Sequence, residues 1–277
     1  RYARVTLNEN ALDKDIHKSY VILMESPLVA PSNLDKSKHK YFYKIFTWDD
    51  TLVDNKKYFK INYAFKIPQE IPINFNKPNL CCLIVSNKTS NYKNELYSER
   101  KKAIRWFEKN HFNDFDLYGV GWNKYRFEGI KPIRALNKIP FITNIMYKYF
   151  GEFYPSYRGK IDKKYDAMQN YKFSICYENI KDVAGYITDK IIDALIAGCI
   201  PIYLGADNIA EHIPIGCFID KRDFDSYELL YKYLSDMSEH KYLEYLTNIE
   251  LFLKSEKGSK FSSKYFAKII VEEIDKG

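Results

Sequence analysis

The segment Tyr171–Gly205, Y-K-F-S-I-C-Y-E-N-I-K-D-V-A-G-Y-I-T-D-K-I-I-D-A-L-I-A-G-C-I-P-I-Y-L-G, holds the densest set of groups able to do chemistry. It parses as strand, polar loop, helix, glycine stop and strand, which is one βαβ unit. The spacing predicts a helix over Tyr186–Ala197, with Ile187, Ile191, Ile192, Leu195 and Ile196 on its core face and Gly198 at the C′ position. Ligands on such sheets bind beyond the carboxyl ends of strands, close to helix N-termini. Glu178 and Asn179 fall at the strand end, and Tyr186, Asp189 and Lys190 fall in the first helical turn. A lysine at a helix N-terminus favours phosphate, and a carboxylate beside it accepts hydrogen bonds from sugar hydroxyls. The pattern points to a nucleotide or nucleotide-sugar pocket built without G-x-G-x-x-G or a P-loop. The competing reading is that Glu178 and Asp189 only cap and solvate the helix start.

Other charged groups are less specific. The run Lys160–Lys164 (K-I-D-K-K) reads as a solvated turn, whereas Arg158 in Y-R-G is kept as a phosphate-contacting candidate. Asp114-Phe115-Asp116 and Asp223-Phe224-Asp225 match the D-x-D of metal-dependent sugar transferases. The first opens a strand and the second falls at an expected helix start, so both read as structural. His17, His39, His111, His212 and His240 are scattered without ligand spacing, and no zinc site is expected. Cys81, Cys82, Cys176, Cys199 and Cys217 are odd in number and form no C-x-x-C. Cys176 and Cys199, in apolar strand-like or helix-end contexts, read as buried, inert thiols, and a reducing cytoplasm fits the set best.

The elements that must position these groups alternate strand and helix. Strands are expected at Ser19–Met24 (buried), Leu80–Val85, Phe115–Gly119, Tyr171–Tyr177 and Ile200–Leu204, with a long amphipathic helix from about Asn91 to Asn110. The Pro-punctuated stretch Ile67–Pro78 excludes regular helix and is the best linker. The expectation is therefore an α/β protein of three parts: a partial first domain over 1–77, a Rossmann-like domain over 78–254, and a C-terminal helix over 255–277 packing back on the first domain. The chain has 277 residues, 46% hydrophobic and 29% charged, which excludes a disordered or low-complexity protein. No apolar run reaches the ~18 residues of a membrane span. The net charge of +7 suits an anionic small ligand or an anionic membrane surface, and no nucleic-acid recognition module is present.

Y-E-N at 177–179, Y-I-T-D-K at 186–190, A-G at 197–198, P-I-Y-L-G at 201–205 and G-C-F-I-D-K-R-D-F at 216–224 stand in one order. That order resembles the signature of the α-1,3/1,4-fucosyltransferases, glycosyltransferase family ten, and most closely its bacterial α-1,3 type. E-S-P at 25–27, L-C-C-L-I-V-S-N at 80–87 and F-D-L-Y-G at 115–119 extend the resemblance more weakly.

The resemblance implies two Rossmann-like domains facing a cleft, a GT-B type transferase with the first domain apparently truncated. It implies inverting transfer of L-fucose from GDP-fucose to a glycan hydroxyl by single displacement, with no metal or other cofactor required. The implied acceptor is an N-acetylglucosamine-containing oligosaccharide or a lipopolysaccharide. By the same resemblance Glu25, of E-S-P, is the general base. Asn179, Tyr186, Asp189 and Lys190 line the donor pocket, and Glu178 holds base, ribose or neighbouring backbone. Lys93 takes the place of a diphosphate-binding arginine, with Arg100 further along the helix sharing the task. Asp189 replaces a glutamate of the family motif, which keeps open a same-fold transferase using another nucleotide sugar. A non-catalytic nucleotide-sugar or glycan-binding protein is the other alternative. The expected location is cytoplasmic, with the inner membrane face compatible with the charge.

Overall fold

The computed structural model describes residues 19–125, 127 and 129–276. The first 18 residues of the expected 1–77 unit lie outside the described residues. Two parallel sheets organise the rest. The smaller has the order β1 (Tyr20–Leu23), β2 (Lys44–Thr47), β3 (Tyr58–Lys60), all parallel. The larger contains β4 (Asn79–Ile84), β5 (Phe115–Tyr118), β6 (Tyr157–Gly159), β7 (Tyr171–Tyr177), β8 (Ile200–Leu204) and β9 (Ile219–Asp220). Its spatial order is β6-β5-β4-β7-β8-β9, with every neighbouring pair parallel. Renumbered from β4, that is 3-2-1-4-5-6, the doubly wound Rossmann order whose direction reverses between β4 and β7.

The central strands are buried on both faces and read as continuous apolar runs. Cys81, Cys82, Leu83, Phe173, Ile175, Cys176 and Tyr177 are all within the large core. All five cysteines are buried free thiols. The β1 strand departs from its expected burial: it is an edge strand with one partner, and Ile22 is exposed.

The long helix α1 spans Tyr97–Asn110, six residues later than expected at its start, with Leu96 as N-cap and Glu95 just before it holding the first N–H groups. The Glu95 carboxylate accepts from the Tyr97 and Ser98 N–H groups. Helix α2 is Pro140–Phe150, between β5 and β6. Helix α3 is Asp189–Ile196, shorter than the expected 186–197. Thr188 is extended (φ −112°, ψ −167°) as its N-cap, so Tyr186 and Ile187 belong to the preceding loop. Gly198 follows with φ +61°, and an added Cβ would stand 2.2 Å from the Pro72 carbonyl oxygen, which requires glycine.

Helices α4 (Tyr227–Ser235), α5 (Glu239–Lys254) and α6 (Ser263–Asp275) complete the chain. Ser226, not an aspartate of Asp223-Phe224-Asp225, caps α4. Phe266, Ile269 and Ile270 of α6 pack on Phe46 and Phe59 of the small sheet and on Ile61 just after it. Lys44 of β2 donates to the Glu273 carbonyl at 2.5 Å. No helix among the described residues is long and apolar enough to cross a membrane.

Candidate functional site in the cleft between the two sheets

The reversal of strand order opens a crevice beyond the carboxyl ends of β4 and β7. The two segments leaving those strands are bound to each other. Leu96 N–H donates to the Asn179 carbonyl at 3.0 Å, and Lys181 N–H to the Asn94 carbonyl at 3.0 Å. The carboxyl ends of β1 and β2 face them. Pro27, Leu34, Trp48 and Asp49 on one side and Tyr92, Lys93, Asn94, Ile180 and Val183 on the other enclose a cleft of about 350 Å³. That size suits a small-molecule site. Trp48, Ile180 and Tyr186 form an apolar cluster joining the two sides, with the Trp48 and Tyr186 rings edge-on at 4.8 Å.

Behind this wall the Glu178 side chain is fully buried at 0% exposure. Its Oε1 accepts from Thr188 N–H at 2.7 Å, and its Oε2 accepts from Thr188 Oγ1 at 2.7 Å and Lys190 Nζ at 2.8 Å. Every one of these contacts folds the 178–190 loop back on its own start. Of the three partners expected for Glu178 (base, ribose or neighbouring backbone), the structure shows the neighbouring backbone, at Thr188 N–H. Its oxygens are spent on positioning the first turn of α3. Lys190 Nζ also donates to Thr188 Oγ1 at 2.7 Å, which uses two of its three N–H donors. The ammonium also stands 3.7 Å from Asp189 Oδ1, at the helix N-terminus, where an anion is favoured.

Asn179 is held on three sides. Its carbonyl takes Leu96 N–H, its Oδ1 accepts from Arg100 Nη2 at 3.1 Å, and its Nδ2 donates to Tyr186 Oη at 3.1 Å. Arg100 itself is buried. Its Nη2 donates to the carbonyls of Tyr177 at 2.7 Å and Glu178 at 2.6 Å. That arrangement overturns the expected shared diphosphate contact: the guanidinium fixes the end of β7 from beneath. Lys93, in contrast, is exposed at the cleft mouth with no ion pair among the described residues.

Asp189 is paired with Lys164, which also reaches Asp193 at 2.8 Å. Burial opposes ionisation of Asp189, yet Lys190 and Lys164 hold its carboxyl down to about 2. Arg158 lies elsewhere. It sits on β6, separated from β7 by β5 and β4, and its Nε donates to Asp116 Oδ1 at 2.5 Å. The structure does not bring it to the Glu178–Lys190 group, because edge-strand residues of this sheet are far from the switch point. Asp116 also accepts from the Tyr171 hydroxyl at 2.7 Å and Asp114 from the Tyr231 hydroxyl at 2.7 Å, so this D-x-D is engaged with neighbours.

Glu25 follows β1 at the cleft, half-buried, and its carboxylate has no hydrogen bond or ion pair among the described residues. Burial, then Glu178 and more weakly Glu25, push the Tyr186 hydroxyl well above its ordinary range. Sequence reasoning missed the partners on this side. Trp48 is buried with its Nε1 unpartnered among the described residues, and the Tyr63 hydroxyl donates to the Met24 carbonyl, bracing the chain before Glu25. A tryptophan directly after a buried strand was the available signal.

The lobes are latched beside the site. Asp50 accepts from Lys60 at 2.6 Å and Asn208 at 2.9 Å and lies 2.7 Å from His212 Nε2. Asp50 N–H also donates to the Ala184 carbonyl at 3.4 Å. These partners hold the Asp50 carboxyl well below the usual range despite burial.

A Rossmann-ordered sheet whose switch point faces a second parallel sheet across a cleft is the architecture of a GT-B type glycosyltransferase. Solved structures agree in fold. An α1,3-fucosyltransferase with GDP is similar at a TM-score of 0.55 and 15% identity, covering 93% of this chain and 74% of that one. Anabaena Alr3699/HepE in complex with UDP and glucose is similar at 0.57 and 10%, covering 92% and 71%. Residues 74–255 match the glycosyltransferase family 10 (fucosyltransferase) C-terminal domain. The chain belongs to glycosyltransferase family 10. It is 28% identical over 200 residues to the α-(1,3)-fucosyltransferase FucT of Helicobacter pylori, covering 67% of this chain and 41% of that protein. The 4-galactosyl-N-acetylglucosaminide 3-α-L-fucosyltransferase 9 of Bos taurus is 26% identical over 194 residues, covering 67% and 42%. The chain thus spans about two-fifths of the length of these relatives.

Proposed function

We propose that this chain transfers L-fucose from GDP-fucose to a hydroxyl of a glycan by single displacement with inversion, the acceptor being an N-acetylglucosamine-containing oligosaccharide or a lipopolysaccharide. The acceptor oxygen attacks the anomeric carbon of fucose. The bond from that carbon to the phosphate oxygen breaks, and GDP leaves with the electron pair. The acceptor proton passes to the Glu25 carboxylate as general base. Charge gathering on the diphosphate is met by Lys190 at the start of α3 and by Lys93 from the cleft mouth. Asn179 and Tyr186 form the donor wall. Glu178 and Arg100 are positioning residues for it. The observation that supports the reading is that Glu25, just after β1 and two residues before the cleft-lining Pro27, has a carboxylate with no hydrogen bond or ion pair among the described residues, whereas Glu178 and Asp189 are both paired.

A second reading is favoured by one observation. Asp189 stands where the family motif has glutamate and is tied to Lys164, so the sugar contact is remade and the donor is a different GDP-sugar. Turnover against a panel of GDP-sugars separates the two. Hydrolysis or transfer with GDP-fucose in preference to the others supports fucose. Turnover with another GDP-sugar and none with GDP-fucose overturns it. GDP binding without turnover of any donor makes the chain a binding protein.

A further inference from the structure

The segment between β5 and β6 is rooted at the cleft. Asn87 N–H donates to the Val120 carbonyl at 2.9 Å, and Trp122 Nε1 to the Val85 carbonyl at 2.7 Å. It carries α2, P-F-I-T-N-I-M-Y-K-Y-F, in which Lys148 is the one charged residue. Its inner face buries Thr143, with Ile142, Met146 and Tyr147 half-buried. Its outer face shows Phe141, Ile145 and Tyr149 at i, i+4 and i+8, all exposed. A surface helix ordinarily turns charged residues outward, whereas this one is apolar on both faces. Phe141, Tyr149, Phe150 and Phe153 are each between two-thirds and three-quarters exposed. At ~200 Å² per ring they offer roughly 550 Å², near the upper end for a monomer surface.

Charge selects the occupant. Residues 119–156 contain Lys124, Arg126, Lys131, Arg134, Lys138 and Lys148 against Glu128 and Glu152. Glu152 is paired with Lys101. Lys148 shares the outer face with Phe141 and Ile145 by helical spacing. A lysine within an apolar stripe suits an anionic lipid surface, where the stem lies among the acyl chains and the ammonium rises to the headgroups. The C-terminal helix α6 is not the alternative, because its apolar face is used against the small sheet.

We infer that α2 and its flanks dock the protein on an anionic phospholipid surface. Co-sedimentation with vesicles of phosphatidylcholine containing one-third phosphatidylglycerol tests this, against phosphatidylcholine alone, at low and high salt. The native chain is expected to bind the anionic vesicles and to lose affinity with salt. The combined variant Phe141→Ser, Ile145→Ser, Tyr149→Ser is expected to bind about 100-fold less tightly. Neutralising Lys138 and Lys148 with Gln is expected to cost ~5-fold each. Unchanged melting temperature and GDP affinity show that the variants are folded, and the single Lys148→Gln keeps the test valid should the triple variant misfold. Absence of binding to anionic vesicles, or equal binding by the variants, overturns the inference. So does a native dimer that the triple variant converts to monomer without any vesicle binding, since a second copy would then cover the face.

Discussion

Replacing Glu178 with Gln removes one acceptor from a carboxylate that satisfies three donors in a site closed to water. With the amide oxygen on Thr188 N–H, its NH2 group faces the Lys190 ammonium, donor against donor. Turned over, the NH2 faces Thr188 N–H instead. Either orientation leaves a buried donor unpaired, costing ~1–3 kcal/mol, and ends the Lys190 ion pair. Removing one partner of a buried pair costs ~3–5 kcal/mol. Lys190 retains 14% side-chain exposure, so the lower part of that range applies, a total of about 3 kcal/mol. Urea unfolding at neutral pH measures it. With an m-value of about 3 kcal/mol/M, the midpoint of the lobe holding α3 falls by roughly 1 M. Calorimetric titration with GDP provides the second readout: affinity falls, because the 178–190 loop no longer presents Lys190 and Tyr186 in register. Thr188→Val, which keeps the N–H and loses only the hydroxyl, is expected to cost about 1 kcal/mol. A Glu178→Gln protein with native midpoint and native GDP affinity would refute the positioning role.

Two further outcomes follow from the same geometry. Asp189 has its folded pKa depressed to about 2 by Lys190 and Lys164 against the opposing effect of burial. Its contribution is therefore present above the unfolded carboxylate value and is lost as pH falls from ~4 towards 2. At 45% side-chain exposure, screening reduces the contribution to about 1 kcal/mol, so the stability gap between native and Asp189→Asn should close over that interval in urea titrations. A gap independent of pH would contradict the pairing. Gly185 has φ +78°, and an added Cβ would stand 2.3 Å from the Trp48 carbonyl oxygen. Gly185→Ala should therefore push the lobes apart and lower turnover well beyond any loss of GDP affinity, as read by transfer assay and calorimetry. Equal turnover would show that the latch is not needed.

Much of this arrangement is legible in the residues themselves. The βαβ unit at 171–205 declares its strands by apolar runs and its helix stop by Gly198, and the lysine at the start of the helix is visible in the same run. The start of α3 was not legible, because Tyr186, Ile187 and Thr188 continue the helical period while tertiary contacts to Trp48 and Glu178 hold them in the loop. Glu178 looks like a surface carboxylate until the loop folds back upon it. Arg100 did leave a trace: it lies four residues after Leu96 and three and four before Ala103 and Ile104, on the apolar stripe of α1. A charge on such a stripe signals a buried partner, here the carbonyls at the end of β7. Arg158 reads as a phosphate candidate because local sequence does not disclose strand order, and order alone puts β6 at the sheet edge. The reach of α6 back to the small sheet likewise depends on a contact between distant parts of the chain.

The central claim is that Glu25 takes the acceptor proton in a transfer from GDP-fucose. Comparing native protein with Glu25→Gln, in glycan transfer and in GDP binding on the same samples, tests it directly. The substitution keeps shape and removes basicity, so turnover should fall ~10²–10⁴-fold while GDP affinity stays within about twofold. Transfer continuing at the native rate would contradict the account.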